Sequence, residues 1–267
     1  MGYIDSGFDL SGTVAVITGG GSGMGRASAE VLAEAGASIV VGDIDTARAD
    51  ETVAAVTAAG GTAKARRVDV SQKASVDELV DFAVAEFGRV DAMCNVAGVP
   101  HNVNVVDVTE EDLDRLIAIN LKGVFFGCQA AMRVMTPQGS GSIVNVASSI
   151  IDVPFQGYSV YGMTKAAVTM LGRVLAAEAG PHGIRVNTLA PGSTVSGFID
   201  RHRFTDDGEP DPDRLERYVT AMKSTSPLGL MGEAIDQAYL MLYLVSPASR
   251  FATGNTFRAN GGNARPW

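Results

Sequence analysis

The chain has 267 residues, 46% of them apolar, and a formal net charge of −9 from 21 basic and 30 acidic side chains. That length suffices for one α/β core without a second domain, so a single domain over 1–267 is expected. The acidic balance argues against an electrostatic nucleic-acid footprint, and the lack of any apolar run of roughly 18 residues argues against a membrane span.

The N-terminus lacks the basic and apolar regions of a signal peptide, although its Met1 and Gly2 fit the loose myristoylation pattern. A cytoplasmic protein is expected. From Val14 to Thr18 a β-branched apolar stretch enters the cluster Gly19, Gly20, Gly21, Ser22, Gly23, Met24 and Gly25, and residues 27–34 then take up helical spacing. A strand, a glycine turn and a helix in that order let backbone approach a pyrophosphate, with the helix N-terminus supplying free N–H groups and positive dipole. The next strand, 38–43, ends in Asp43, where an acid can accept hydrogen bonds from an adenine ribose; helix capping is the structural alternative for such an Asp.

Further strands are expected at 63–70, 92–95, 142–147, 185–190 and 256–259. Helices are expected at 76–87, 110–135, 161–179, 214–223 and 233–245, among others. Alternation of this kind means crossover connections and a parallel sheet covered on both faces, with ligands gathering at the carboxyl ends of the strands. The stretch 193–227 breaks the rhythm with an acidic, turn-rich run, and a long connection of this sort is expected to be a lid. Cys94 and Cys128 read as reduced, buried small hydrophobes. His101, His182 and His202 have no metal-ligand spacing, so no metal is expected.

The chemistry concentrates late in the chain. Tyr161 and Lys165 stand at i and i+4 of an expected helix, so phenol and ammonium share a face. A cation beside a phenol lowers its pKa from about 10, and a phenol so tuned can pass a proton to a carbonyl oxygen or take one from an alcohol.

With these residues together, the chain resembles the short-chain dehydrogenases/reductases, in the single-domain branch of about 250 residues. The resemblance runs from Leu10 to Gly262. The family's glycine motif is matched by Thr18, Gly19, Gly23 and Gly25. Its Asn-Asn-Ala-Gly motif is matched by Asn95, Ala97 and Gly98, with Val96 in the second place. Asn120, Ser148, Tyr161, Lys165, Pro191 and Gly192 match the rest.

The resemblance implies an α/β, Rossmann-type doubly wound sheet of seven parallel strands in the order 3-2-1-4-5-6-7, helices on both faces, and hydride transfer between a secondary alcohol and a ketone. It implies Tyr161 as general acid/base, Lys165 tuning it and holding the nicotinamide ribose, Ser148 polarising the substrate oxygen, and Asn120 anchoring a water that links Lys165 to solvent. The implied cofactor contacts are Gly19, Ser22, Gly23, Met24, Gly25, Asp43, Ile44, Asp69, Val70, Asn95, Ala97, Gly98, Tyr161, Lys165, Pro191, Gly192 and Thr194. The substrate, a small alcohol or ketone, is expected to meet Val99, His101, Ser148, Ile150, Phe155, Tyr158 and Phe198.

NAD is the expected cofactor, because Asp43 would repel the extra phosphate of NADP and neither Ile44 nor Ser22 offers a compensating charge. A 3-oxoacyl-carrier-protein reductase using NADPH is the alternative, although many of those carry a basic residue where this chain has Ser22. A nucleotide-binding protein without chemistry would lack the Tyr or the Lys. A sugar-nucleotide epimerase would need a longer chain and a differently spaced glycine motif. A homotetramer is expected, with long apolar helices forming the contacts and the terminal Arg265, Pro266 and Trp267 in reach of a neighbour.

Overall fold

Val14, Ala15, Val16 and Ile17 are buried on both sides of the first strand, as a parallel strand covered by helices requires. The structure, a computed structural model, describes residues 2–195, 199 and 209–264. After a short helix α1 (Tyr3–Phe8), strands β1 (Val14–Thr18), β2 (Ser38–Asp43), β3 (Thr62–Arg67), β4 (Ala92–Asn95), β5 (Gly141–Val146), β6 (Ile184–Leu189) and β7 (Thr256–Phe257) form one sheet. All pairings are parallel, and the order is β3-β2-β1-β4-β5-β6-β7.

The helices are α2 (Gly23–Glu34), α3 (Thr46–Ala58), α4 (Lys73–Phe87), α5 (Glu110–Leu116), α6 (Gly123–Gln138), α7 (Ser159–Ala179), α8 (Pro212–Thr225) and α9 (Ala234–Val245). The two-residue period of the strands divides the core. Val16, Met93, Ile143 and Val186 pack towards α4, α6 and α7, while Ile17, Cys94, Val144 and Leu189 pack towards α2 and α9.

Two expected elements change and one helix is added to those named. The strand expected over 63–70 ends at Arg67, and Asp69 turns the chain instead, its carboxylate accepting from Ser71 N (3.0 Å) and Ser71 Oγ (2.7 Å). The helix expected over 110–135 is interrupted by a π turn at Ile117–Lys122 and continues to Gln138. Helix α3 is additional; it starts where Asp45 caps Arg48 N at 3.2 Å.

At the carboxyl ends of the central strands, Thr18, Asn95, Asn145 and Thr188 stand in one register row. Asn95 Nδ2 donates to Asn145 Oδ1 (2.9 Å), and both side chains are buried. Helix α6 passes close over them because it presents Gly127, where a methyl group would collide with Asn95 Oδ1. Phe198 and the tail Arg265, Pro266 and Trp267 lie outside the described residues, as do 196–197 and 200–208 of the expected lid.

Candidate active site

The loops that follow β1, β4, β5 and β6 converge at one end of the sheet. After β1, Gly19 takes φ +68° and lies so near the β4 loop that a Cβ would come 2.8 Å from Ala97 Cα. Thr18 Oγ1 ties the same loop by accepting from Val96 N (3.2 Å) and Ala97 N (3.3 Å). A Cβ on Gly25 would fall onto the Gly19 carbonyl. Ser22 caps α2 without a side-chain bond, so the helix's first N–H groups have no capping side chain and offer an anion site.

Asp43 accepts from Gly21 N (2.9 Å) and Asp45 N (3.0 Å), which holds its carboxylate beside the glycine turn. Ile44 is exposed. Arg26 pairs with Glu30 at 2.9 Å, and Arg48 with Asp45 at 3.3 Å. Val70 is buried against Gly123, and the Asn95 amide points into the core. A ligand at the strand ends would therefore meet the main chain of Val70 and Asn95, not their side chains. The alternation in β4 contains that information, since Asn95 shares a face with the core residue Met93.

Ser148 follows β5 and opens a 3-10 turn (Ser149–Ile151), its Oγ accepting from Ile150 N at 3.3 Å. The turn is braced from the end of the sheet. Asp152 takes two bonds from Arg258, 2.6 Å from Nε and 3.1 Å from Nη2, and Ser149 N donates to Pro191 O at 2.8 Å. Tyr161 lies in the first turn of α7, and Lys165 one turn on, with Nζ 5.7 Å from the Tyr161 ring centre. Tyr158 meets Tyr161 edge to face at 6.0 Å.

Lys165 is 2% exposed and donates from Nζ to Val146 O at 2.8 Å. Burial pulls its ammonium down from 10.5 to about 8. In the unfolded chain the lysine holds its proton to higher pH than in the folded protein, so stability rises with pH between about 8 and 10.5, and below about 8 the whole penalty of the buried charge is present. Lys165→Met is expected to remove that dependence and to raise stability near neutral pH by up to about 3 kcal/mol. Denaturant midpoints across that pH range would check it; an unchanged slope in the variant would count against the buried charge.

Asn120 lies in the π turn, fully buried. Its Oδ1 accepts from Val99 N (2.8 Å) and its Nδ2 donates to Val99 O (2.9 Å), so the amide clamps the loop after β4. Gly98 follows from this closeness, since a Cβ there would come 3.2 Å from Asn120 Oδ1 and 3.4 Å from Lys165 Nζ.

A cavity of about 490 Å³ opens over these residues. Of the residues expected at the site, Met24, Gly98, Ser148, Ile150, Phe155, Tyr158, Tyr161, Lys165, Pro191, Gly192 and Thr194 line it. Two expected pocket residues do not. Val99 is held by Asn120 and packs in a cluster with Leu116, Val160 and Tyr161, and His101 is 6% exposed with Nε2 3.6 Å from Asp112 Oδ2 on α5. Pro100 and Asn102 take their places, because the loop is extended and Gly98, Pro100 and Asn102 face one way while Val99 and His101 face the other. That alternation is legible in the sequence once the loop is taken as extended. Gln156, Ile199, Tyr218 and Met222 also line the cavity without having been foreseen; the last two come from α8.

Among the described residues no cluster of His, Cys, Asp or Glu is arranged to hold a metal ion, and no helix is long and apolar enough to cross a membrane. Cys94 and Cys128 are free thiols, pushed up to about 12 by burial.

A family model described as enoyl-(acyl carrier protein) reductase matches residues 19–264. A 2,5-dichloro-2,5-cyclohexadiene-1,4-diol dehydrogenase, LinX, of Sphingobium indicum is 35% identical over 95% of this chain and 96% of its own length. A second dehydrogenase of that name from Sphingobium indicum is 38% identical over 95% of this chain and 98% of its own. The crystal structure of a short-chain type dehydrogenase/reductase from Mycobacterium marinum superposes with a TM-score of 0.88 at 34% identity, covering 98% of this chain and 99% of that one.

Proposed function

The chain belongs to the short-chain dehydrogenase/reductase family, an oxidoreductase family that uses a nicotinamide cofactor, and from that premise we propose that it is an NAD-dependent dehydrogenase converting a neutral secondary alcohol, of the cyclic diol kind, to the ketone. The observation that carries this reading is the shared cavity of Ser148, Tyr161 and Lys165 at the carboxyl ends of β5 and β6.

The glycine turn fits a dinucleotide, with Gly19, Gly20, Gly21, Gly23 and Gly25 where a pyrophosphate would approach and with the α2 N-terminus open. The proposed holding residues are those of the turn, Asp43 for the adenine ribose, Asp69 and the main chain of Val70 for the adenine, the loop of Asn95, Ala97 and Gly98 on the adenine ribose side, and Lys165, Pro191, Gly192 and Thr194 for the nicotinamide half. Bound there, the nicotinamide supplies hydride acceptance and donation.

The remaining work belongs to the chain. Ser148 Oγ orients the substrate oxygen, and Tyr161 Oη takes the hydroxyl proton during oxidation and returns it during reduction. Lys165, charged and buried, favours the phenolate. Asn120 keeps Gly98 and Val99 in place beside it, and the proposed water link from Lys165 to solvent passes this residue. Residues 193–227 act as the substrate lid, with Ser193, Thr194, Ile199, Tyr218 and Met222 of that stretch in the wall.

Among the described lining residues Lys165 is the one charged side chain, and it is bonded to Val146 O. That favours a neutral reacting group over a carboxylate or phosphate. Two of the relatives are named as dehydrogenases of a cyclic diol. An NAD⁺ reduction screen over cyclic alcohols and diols, sterols, sugars and 3-hydroxyacyl thioesters tests the reading. Turnover of a cyclic alcohol is expected, and turnover confined to thioesters would overturn it.

A cytoplasmic homotetramer completes the proposal. Phe125 on α6 and Met163, Met170 and Val174 on α7 are about half exposed, an apolar stripe that a second copy would cover. Light scattering at micromolar concentration is expected to return a tetramer, and Met170→Glu to yield smaller species; a monomer in the unmodified protein would refute the assembly.

A further inference from the structure

The turn that carries Ser148 depends on bonds from outside it. Its internal bonds are local: Ile150 N donates to Ser148 Oγ (3.3 Å), Ile151 N to Ser148 O (3.2 Å) and Asp152 N to Ser149 O (3.0 Å). The first of these leaves the Ser148 hydroxyl hydrogen free to donate into the cavity. Beyond Val153 the chain runs into Pro154, Phe155 and Gln156, which are exposed and give the turn little support. Among the described residues, two sets of hydrogen bonds tie the turn to other elements. One is Ser149 N to Pro191 O at 2.8 Å, and the other is the grip of Arg258 on Asp152.

Arg258 belongs to the segment that lines up with the loop after β6. The residues on either side of it accept from that loop, Phe257 O from Ala190 N (2.8 Å) and Ala259 O from Gly192 N (3.2 Å). Its guanidinium is pinned as well, Nη1 donating to Thr256 O at 2.9 Å while Nε and Nη2 hold Asp152. One residue thus lies by its main chain against Pro191 and Gly192, assigned above to the nicotinamide half, and reaches by its side chain to the end of the Ser148 turn. Neither Arg258 nor Asp152 lines the cavity, and their side chains are 23% and 9% exposed. A largely buried pair returns little net stability, because desolvation offsets the attraction. What a two-pronged contact between guanidinium and carboxylate adds is a fixed direction.

We propose that Arg258 and Asp152 are positioning residues for the reaction: the pair fixes the Ser148 hydroxyl relative to the nicotinamide loop, so that its loss costs turnover and not cofactor binding. This rests on the dehydrogenase reading above. A displacement of about 1 Å at a reacting group can cost on the order of 10²-fold in rate, so a turn that is only loosened should lose about tenfold.

The test measures kcat, KM and NAD⁺ affinity with cyclohexanol as the probe. The double variant Arg258→Met with Asp152→Leu replaces the pair by apolar side chains and leaves no bare charge, so it is expected to fold. Its kcat should fall about tenfold, with KM and NAD⁺ affinity within about twofold of the unmodified enzyme. Arg258→Lys keeps the charge but loses the fork, and should lose about threefold to fivefold in kcat at unchanged NAD⁺ affinity. Made on top of Ser148→Ala, the double substitution should cost less than about twofold further, because the hydroxyl it positions is already gone. Unchanged kcat in both variants, or an undiminished loss on top of Ser148→Ala, overturns the positioning role and leaves the dehydrogenase reading standing. If the double variant no longer binds NAD⁺, Arg258→Lys decides: a loss of kcat at unchanged NAD⁺ affinity upholds the role, and an unchanged kcat overturns it. No turnover of cyclohexanol by the unmodified enzyme, or Ser148→Ala at the unmodified rate, would instead count against the dehydrogenase reading and remove the role with it.

Discussion

Tyr161→Phe is expected to lower kcat by about 10²-fold or more while leaving cofactor affinity nearly intact. The substitution removes one oxygen from a side chain that is 8% exposed and otherwise keeps the ring and its packing against Tyr158. It takes away the group that exchanges a proton with the substrate and leaves the glycine turn untouched. Steady-state kinetics together with a cofactor titration would check both halves. Turnover close to the unmodified rate would sink the assignment, and a matching loss of cofactor affinity would point to a structural role. Tyr158→Phe is the control. It lines the same cavity, but the residue four further on is Gly162, so it should change KM more than kcat.

The second large effect is cofactor choice, where NAD is expected over NADP by at least about a hundredfold in kcat/KM. The 2′-phosphate of NADP would sit near the Asp43 carboxylate, and like charges about 4 Å apart cost on the order of 4 kcal/mol at an effective dielectric of 20. Asp43 has little freedom to withdraw, since Gly21 N and Asp45 N both hold it. The nearby cations are engaged, Arg26 with Glu30 and Arg48 with Asp45. Parallel kinetics with the two cofactors on one alcohol would decide it. Equal efficiency, or preference for NADPH, would overturn the role given to Asp43 and reopen the biosynthetic alternative. Asp43→Ser should narrow the gap by weakening the repulsion.

The strand order was legible through the resemblance that the motifs carry, and the gathering of Ser148, Tyr161 and Lys165 because each falls at a strand end or on one helix face, positions that follow from periodicity. What was not legible depends on direction and closeness. Asn95 looked like a ligand contact because it ends a strand, yet its side chain turns to Asn145, and the space for that comes from Gly127, a residue thirty-odd positions away. His101 sits in a loop whose alternation is readable only once the loop is taken as extended, and its ring turns to Asp112 on a different element. Arg258 and Asp152, which brace the Ser148 turn, are far apart in the chain, and no local pattern links them.

The π turn at Ile117–Lys122 has a consequence for how this protein can change. Each residue of an α-helix advances about 100° around its axis, so the wide turn rotates everything downstream relative to α5. Upstream, Leu116 reaches the core; downstream, Val124, Gly127, Cys128, Ala131 and Met135 do. The two stretches are out of phase, and the bulge joins them. Losing one residue there would let the ladder close as an ordinary helix with both stretches still facing the core, but it would remove the wide turn that seats Asn120 against the loop it clamps. Gaining one would turn the downstream stretch by about 100°, and with it the glycine that clears Asn95. An insertion in this segment should therefore be far less tolerated than a deletion or a point substitution.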